Sequence, residues 1–313
     1  MSGALGGAGG FTKTGDGILV FSGPADNTYA GDTRVNSGTL VLNKSTGTDS
    51  VPGHLYIGDG VGGVDADVVR MLAGTQIPSM SRITVAASGL FDMNSRTEHF
   101  GSLAGSGHVT LGSGDLGCGQ DNTSSEFSGI IEGSGGLIKY GSGAFTLSGN
   151  NSYSGDTVIS AGTLRVNGVQ PSSDVVVNLN GILGGIGTVG GITSSGVVAP
   201  GVAAGALSTG RTATLNSGSA FNVELNGYQP AGYDRLDVCG KFSPGNADLN
   251  VSWGFVPAVG DAFTIIDNDD VDAVVGTFNG LAEGALLTAG NVQLQITYAG
   301  GSGNDVVLSA AAV

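Results

Sequence analysis

The sequence predicts an all-β solenoid, a stack of short strands joined by tight turns, and three observations predict it. Glycine supplies 59 of the 313 residues, about two and a half times its usual share, without the three-residue period of collagen. Hydrophobic residues make up 40% and charged residues only 12%, with a mean hydropathy of +0.20, too apolar and too sparsely charged for a disordered chain. The apolar residues fall in short alternating runs closed by Gly, Asn, Asp or Ser, and no stretch holds a capped helical period.

Internal repeats make the case specific. GGFTKTGDGILVFSG at residues 9–23 realigns on GGLIKYGSGAFTLSG at 135–149. Both copies continue, NTYAGDTRVNSGTLVLN at 27–43 matching NSYSGDTVISAGTLRVN at 151–167, and the first carries two extra residues in the loop at 24–26. A shorter unit, apolar-x-Gly-x-Gly-x-apolar, recurs as LGGAGGF (5–11), LAGSGHV (103–109), IEGSGGL (131–137) and LGGIGTV (183–189). Such a unit cannot bury its apolar face alone, so its neighbours must stack on it. At about 20–25 residues per coil the chain would make roughly 13–15 coils.

A third unit sets the register: SGTLVLN (37–43), SGLFDMN (88–94) and AGTLRVN (161–167). Successive side chains of a strand face opposite sides, so Leu40, Leu42, Phe91, Met93, Leu164 and Val166 are expected inside. The position between each pair holds Val41, Asp92 or Arg165; it accepts either charge and is expected in water. Gly38, Gly89 and Gly162 before the strands, and Asn43, Asn94 and Asn167 after them, suit turns with positive φ. Residues 1–215 read as glycine-rich β-helix repeats, and 216–313 as a C-terminal β segment that continues or caps them.

The stretch GSGGLIKYGSGAFTLSGNNSYSGDTVISAGTLRVNG, residues 133–168, resembles the passenger-associated repeat of bacterial autotransporters and related large surface proteins. The glycines, Lys139, Tyr153 and Asn167 fall at that family's spacing, and GSLAGSGHVTLGSG and SSEFSGIIEGSGG precede them in family order. The resemblance covers residues 5–45 and 100–226 well and 46–99 loosely. From VELNGYQPAGYDRLDVCGKF onward the chain looks like the segment that closes such helices. The resemblance implies a right-handed parallel β-helix displayed outside the cell, often serving adhesion, aggregation or biofilm formation. The expected role is therefore structural or adhesive and not enzymatic; the alternative is a polysaccharide-acting β-helix enzyme.

Few residues carry a chemical signal. GGSGNDVVL at 300–308 matches the calcium-binding nonapeptide once, whereas calcium takes six to eight oxygens, supplied there by stacked copies; a plain turn is expected. Asp267, Asn268, Asp269 and Asp270, with Asp272 close by, read as a solvated acidic loop between strands. Asp65 and Asp67 with Arg70 could set carboxylates on one strand face, the pattern of a polysaccharide-cleaving groove, but on a single rung. His54, His99 and His108 have no recognisable triad partner, and His108, replacing a glycine of the repeat, is expected at an exposed turn. Thr12 with Thr14, Thr46 with Thr48 and Thr212 with Thr214 lack the fixed rung spacing of an ice-binding face. Cys118 and Cys239 fit no metal spacing and read as small buried hydrophobes. No catalytic, cofactor-binding or metal-binding residue is assigned.

Charge bounds the partners. With 26 acidic and 11 basic residues the formal charge is −15, which repels nucleic acid and anionic membranes. MSGALGGAGG shows no signal peptide, so the chain reads as part of a longer exported protein, or as one exported by another route. It holds no apolar run that spans a bilayer and ends at Val313 without a barrel, so direct membrane insertion is not expected. The expected partners are cell-surface or matrix components, or further copies of the chain joined end to end through the N-terminal coil, at an extracellular or cell-surface location.

Overall fold

The computed structural model describes residues 1–269, 272–289 and 292–312. They form two compact units, Met1–Val158 and Ile159–Val313. The elements are short strands, with a 3-10 turn at Pro230–Gly232. The fold is the parallel β-helix that the repeats predict, ended by antiparallel strands.

In the first unit one wall is a six-stranded parallel sheet. Its strands are Ile18–Gly23, Gly38–Lys44, Asp67–Met71, Gly89–Asp92, His108–Thr110 and Ile130–Glu132. Register places Leu19, Leu40, Val69, Phe91, Val109 and Ile131 one above the other, and from Leu40 onward this column is fully buried. The neighbouring column holds Val20, Val41, Arg70, Asp92, Thr110 and Glu132 and faces outward, with Arg70 paired to Asp92 at 2.6 Å. A second wall stacks Val35, Ile57, Val85, Gly105, Phe127 and Leu147.

The expected register holds at Leu40, Leu42, Phe91, Met93, Leu164 and Val166, all fully buried, and at exposed Arg165. It fails at Val41, which is only 7% exposed. That side chain lies on the outer column, but between Val20 and Arg70, and these neighbours cover it. Gly38 and Asn94 take positive φ, 69° and 48°. Asn43 does not end its strand, which runs to Lys44. Gly89 is needed for space: a Cβ there would sit 2.2 Å from the Ile57 carbonyl oxygen.

The polar residues of the long repeat join coils and fix the turns within them. Lys13 Nζ donates to the carbonyls of Thr14, Gly15 and Ser37; its counterpart Lys139, fully buried, donates to Tyr140 at 2.5 Å and Gly141 at 3.0 Å. Burial pulls the Lys139 ammonium below the ordinary lysine range. Asn27 accepts from Leu5 N at 2.9 Å and Asn151 accepts from Ile131 N at 2.9 Å. Tyr29 bonds Thr33, and Tyr153 bonds Thr157 at 2.6 Å. The same four residue types recur in both copies, at the same spacing apart from the two extra residues of the first loop.

In the second unit an eight-stranded sheet begins with parallel strands Val169–Gln170, Thr188–Val189, Ala206–Thr209, Arg235–Val238 and Ala262–Asn268. It ends with antiparallel Asp305–Ala311, Val292–Gly300 and Leu286–Ala289. Among the described residues the coils are fewer than 13–15, because some are long, as from Leu40 to Val69 and from Asp237 to Asp267, and because the last strands leave the parallel stack. Long loops fold back, and Phe278 stacks on Phe221 with ring centroids 6.0 Å apart.

Two measurements test this description. Replacing Lys139 by Met keeps the apolar stem but strands buried carbonyls, and should lower unfolding free energy by about 2–4 kcal/mol; denaturant titration measures it, and a loss below half a kcal/mol contradicts the capping role. Glu98 is buried; its Oε2 accepts from Gln76 N at 2.7 Å and its Oε1 has no partner among the described residues. Burial, with a smaller push from Asp49, raises its pKa from 4.5 to about 7, although the Gln76, His99 and Ile77 N–H groups pull it down. The folded state thus holds this proton more tightly, so the contribution is complete below pH 4.5 and is lost as pH rises through 7. Glu98→Gln should gain on the parent as pH rises over that window, by up to about 3 kcal/mol. A pH-independent difference would rule Glu98 out as the titrating group.

Candidate functional site

The first unit disperses its sequence candidates. Asp67 is buried and accepts from Ser88 Oγ at 2.6 Å, while Arg70 is taken by Asp92. Asp65 turns instead to His108: its Oδ2 lies 3.3 Å from Nδ1, and Glu132 Oε1 lies 3.4 Å from Nε2. His108 therefore sits in the strand His108–Thr110, half-buried between two carboxylates, and not at the exposed turn expected. His54 accepts from Arg82 N at 3.1 Å, and His99 lies against Tyr140 with ring centroids 5.4 Å apart. The VDADVVR carboxylates do not converge, and the histidines hold structure.

Cys118 is the buried thiol expected, and burial pushes its pKa up to about 12, which makes it inert. Cys239 departs from expectation: it is exposed, because it follows the last residue of the strand Arg235–Val238.

The two calcium candidates meet. Residues 300–305 form the turn of an antiparallel hairpin, Gly300 opposite Asp305, and not a rung of a parallel roll. Asp305 Oδ1 accepts from Asn268 N at 3.0 Å, and the amides of Asn268 and Asn304 both donate to the Asp272 carbonyl, at 2.6 and 3.3 Å. Asp267 and Asn268 end the strand Ala262–Asn268 and Asn268 is buried, so this part is not the solvated loop expected; Asp270 lies outside the described residues. Arg235 contacts Asp237 at 2.5 Å and Asp267 at 3.4 Å. Among the described residues no three His, Cys, Asp or Glu side chains are placed to hold a metal.

The second unit carries a cleft of about 470 Å³ that the sequence does not announce. Its floor is made of apolar outward residues, Gly184 beside Ala199 and Ile182 beside Val197 in register. Arg165 stands on one side and the Asn222–Asn250 pair on another, the amide of Asn250 donating to Asn222 Oδ1 at 2.9 Å. Asp234 lines the cleft and is 3% exposed. Its Oδ2 accepts from Glu224 N at 2.9 Å, and its own N donates to Glu224 O at 2.9 Å. Its Oδ1 has no partner of ordinary geometry among the described residues. Burial raises the carboxyl to about 6, Glu224 adding to the rise while the Glu224 and Gly205 N–H groups oppose it. A hydrogen-bonded hairpin turn, with Leu225 bridged to Tyr233, brings these acids together; no linear motif marks it.

Parallel rungs and antiparallel closure define a repeat β-solenoid. Residues 11–42 and 137–166 match the passenger-associated-transport-repeat family model. The chain is 40% identical over 109 residues, a third of its length (33%), to the adhesin BmaC autotransporter of Brucella suis biovar 1 (strain 1330). It is 43% identical over 97 residues, 30% of its length, to an extracellular serine protease of Serratia marcescens. These matches span only 3% and 9% of the two relatives' own lengths. The crystal structure of the Haemophilus influenzae Hap adhesin aligns with 97% of this chain and 41% of its own, at 11% identity and a TM-score of 0.26. No helix among the described residues is long and apolar enough to cross a membrane.

Because the Asn268 N–H occupies Asp305 Oδ1 and Arg235 pairs with both Asp237 and Asp267, adding EDTA should leave the melting temperature unchanged. A chelator-induced fall of several degrees, restored by calcium, would show that this corner holds an ion.

Proposed function

We propose that this chain is a structural and adhesive module of a surface-exposed bacterial protein, located outside the cell. One observation carries the reading: the recurrent polar residues are spent inside the stack, Lys13, Asn27 and Asn151 joining neighbouring coils and Lys139, Tyr29 and Tyr153 fixing turns within a coil. The repeat thus builds a scaffold, and the outer columns are left to meet partners. The adhesin name of the Brucella relative supports the same reading. The Serratia relative is named a protease, but the Asp65–Asp67–Arg70 group does not converge and no observation favours a polysaccharide-acting enzyme. The reading extends to self-association, in which the strands Phe11–Lys13 and Ile18–Gly23 offer an edge to another copy. Ile18 is 73% exposed there, while Met1 already bonds Val20 O and Ser22 N.

Beads coated with the chain should be retained on immobilised matrix proteins or epithelial cells above albumin-coated beads; equal retention contradicts the adhesive role. Light scattering across a concentration series should show a mass that rises in the parent and falls back in Ile18→Lys. A constant monomer mass removes the end-to-end part alone. A fluorophosphonate probe should leave the chain unlabelled, and stoichiometric labelling of a serine would establish a hydrolase.

A further inference from the structure

We propose that the cleft of the second unit binds a neutral, hydroxyl-rich saccharide. This deepens the adhesive reading by naming a ligand class for one site. The volume, about 470 Å³, lies within the range of small-ligand pockets. Its floor is apolar, Gly184 and Ala199 lying side by side next to Ile182 and Val197. Such a floor accepts the C–H face of a sugar ring without competing for its hydroxyls.

The polar groups are spaced for hydroxyls. Asp234 is enclosed, at 3% exposure, and acts on the cleft through its charge, with no oxygen open to a ligand. With Asn250 donating to Asn222 Oδ1, the amide N–H groups of Asn222 and the Oδ1 of Asn250 remain for a ligand, so the pair can both donate and accept. Arg165 adds donors on the far side of the floor. Val202, 59% exposed, forms an apolar rim beside these groups.

Charge selects among saccharides. Arg165 is set against Asp234 and Glu224 in the lining, and the whole chain carries −15. A uronate or sulfated sugar would meet two carboxylates in a negative field, so the ligand is neutral. No aromatic ring lines the cleft, which sets the expected dissociation constant near the millimolar range, about −4 kcal/mol.

Amide NMR of the full chain, titrated separately with neutral hexose oligosaccharides, with oligouronates and with spermidine, tests this. The neutral sugars should shift Gly201, Ala203 and the Asn222 and Asn250 side-chain amides, saturating at millimolar concentration. Ala199→Trp fills the floor from the outer face, and should weaken binding at least about tenfold with the melting temperature unchanged. Asn222→Ala, which removes the amide donors left for a ligand, should do the same. If that variant fails to fold, Asn250→Ala replaces it with the same expectation. The proposal is overturned if no neutral sugar shifts these amides, if Ala199→Trp binds as the parent does, or if oligouronates or spermidine bind in preference. Beads that still adhere while no sugar binds would remove this site and leave the adhesive reading standing.

Discussion

Everything in this protein depends on coils pairing in parallel and in register with the coil before. The pairing sets successive strands about 4.8 Å apart, so each side chain touches the residue one coil away, and a column must be chemically consistent along its length. The column from Leu19 to Ile131 meets the demand with aliphatic and aromatic residues. Where a column meets a corner, space becomes the limit. Gly105 replaces the larger residues of its column because a Cβ there would lie 2.0 Å from the Val85 carbonyl oxygen, at a φ of 111°.

The same constraint explains the buried lysines. A buried ammonium is costly unless its donors are occupied, and the turns after Lys13 and Lys139 supply carbonyls that no strand uses. Asparagine and tyrosine act likewise, each closing a donor or acceptor at a coil corner. Residues that look chemically interesting in one dimension are thereby consumed by stacking. What remains for recognition is the outer face, where columns tolerate change. Arg70, Asp92 and Thr110 are linked there in sequence, through contacts of 2.6 and 3.2 Å.

Sites on such a scaffold arise where the repeat is broken. The coil leading from Thr209 to its partner Val238 is longer than the one leading from Val189 to Thr209. Its surplus forms the hairpin that places Asp234 against Glu224. The fold-back turns an exposed acid into a buried one and converts a shallow surface into a cleft. Insertions into a solenoid thus create the chemistry that its regular coils exclude.

Composition and repetition by themselves determined the solenoid, the inward faces of Leu40, Phe91 and Leu164, and the outward face of Arg165, because alternation and stacking are local rules written in every copy. They also marked Lys139 and Tyr153 by spacing, although not their work, since the carbonyls that Lys139 caps belong to a turn whose path is set only when coils stack. Val41 was misplaced because its neighbours, Val20 and Arg70, come from the coils on either side. The calcium-like turn and the acidic run looked separate in the sequence, and the tertiary structure joined them at the Asp272 carbonyl. The cleft was invisible for the same reason: Arg165, Ala199, Asn222 and Asp234 lie on different coils. Only the register between coils, decided by backbone pairing and loop length together, brings them to one place.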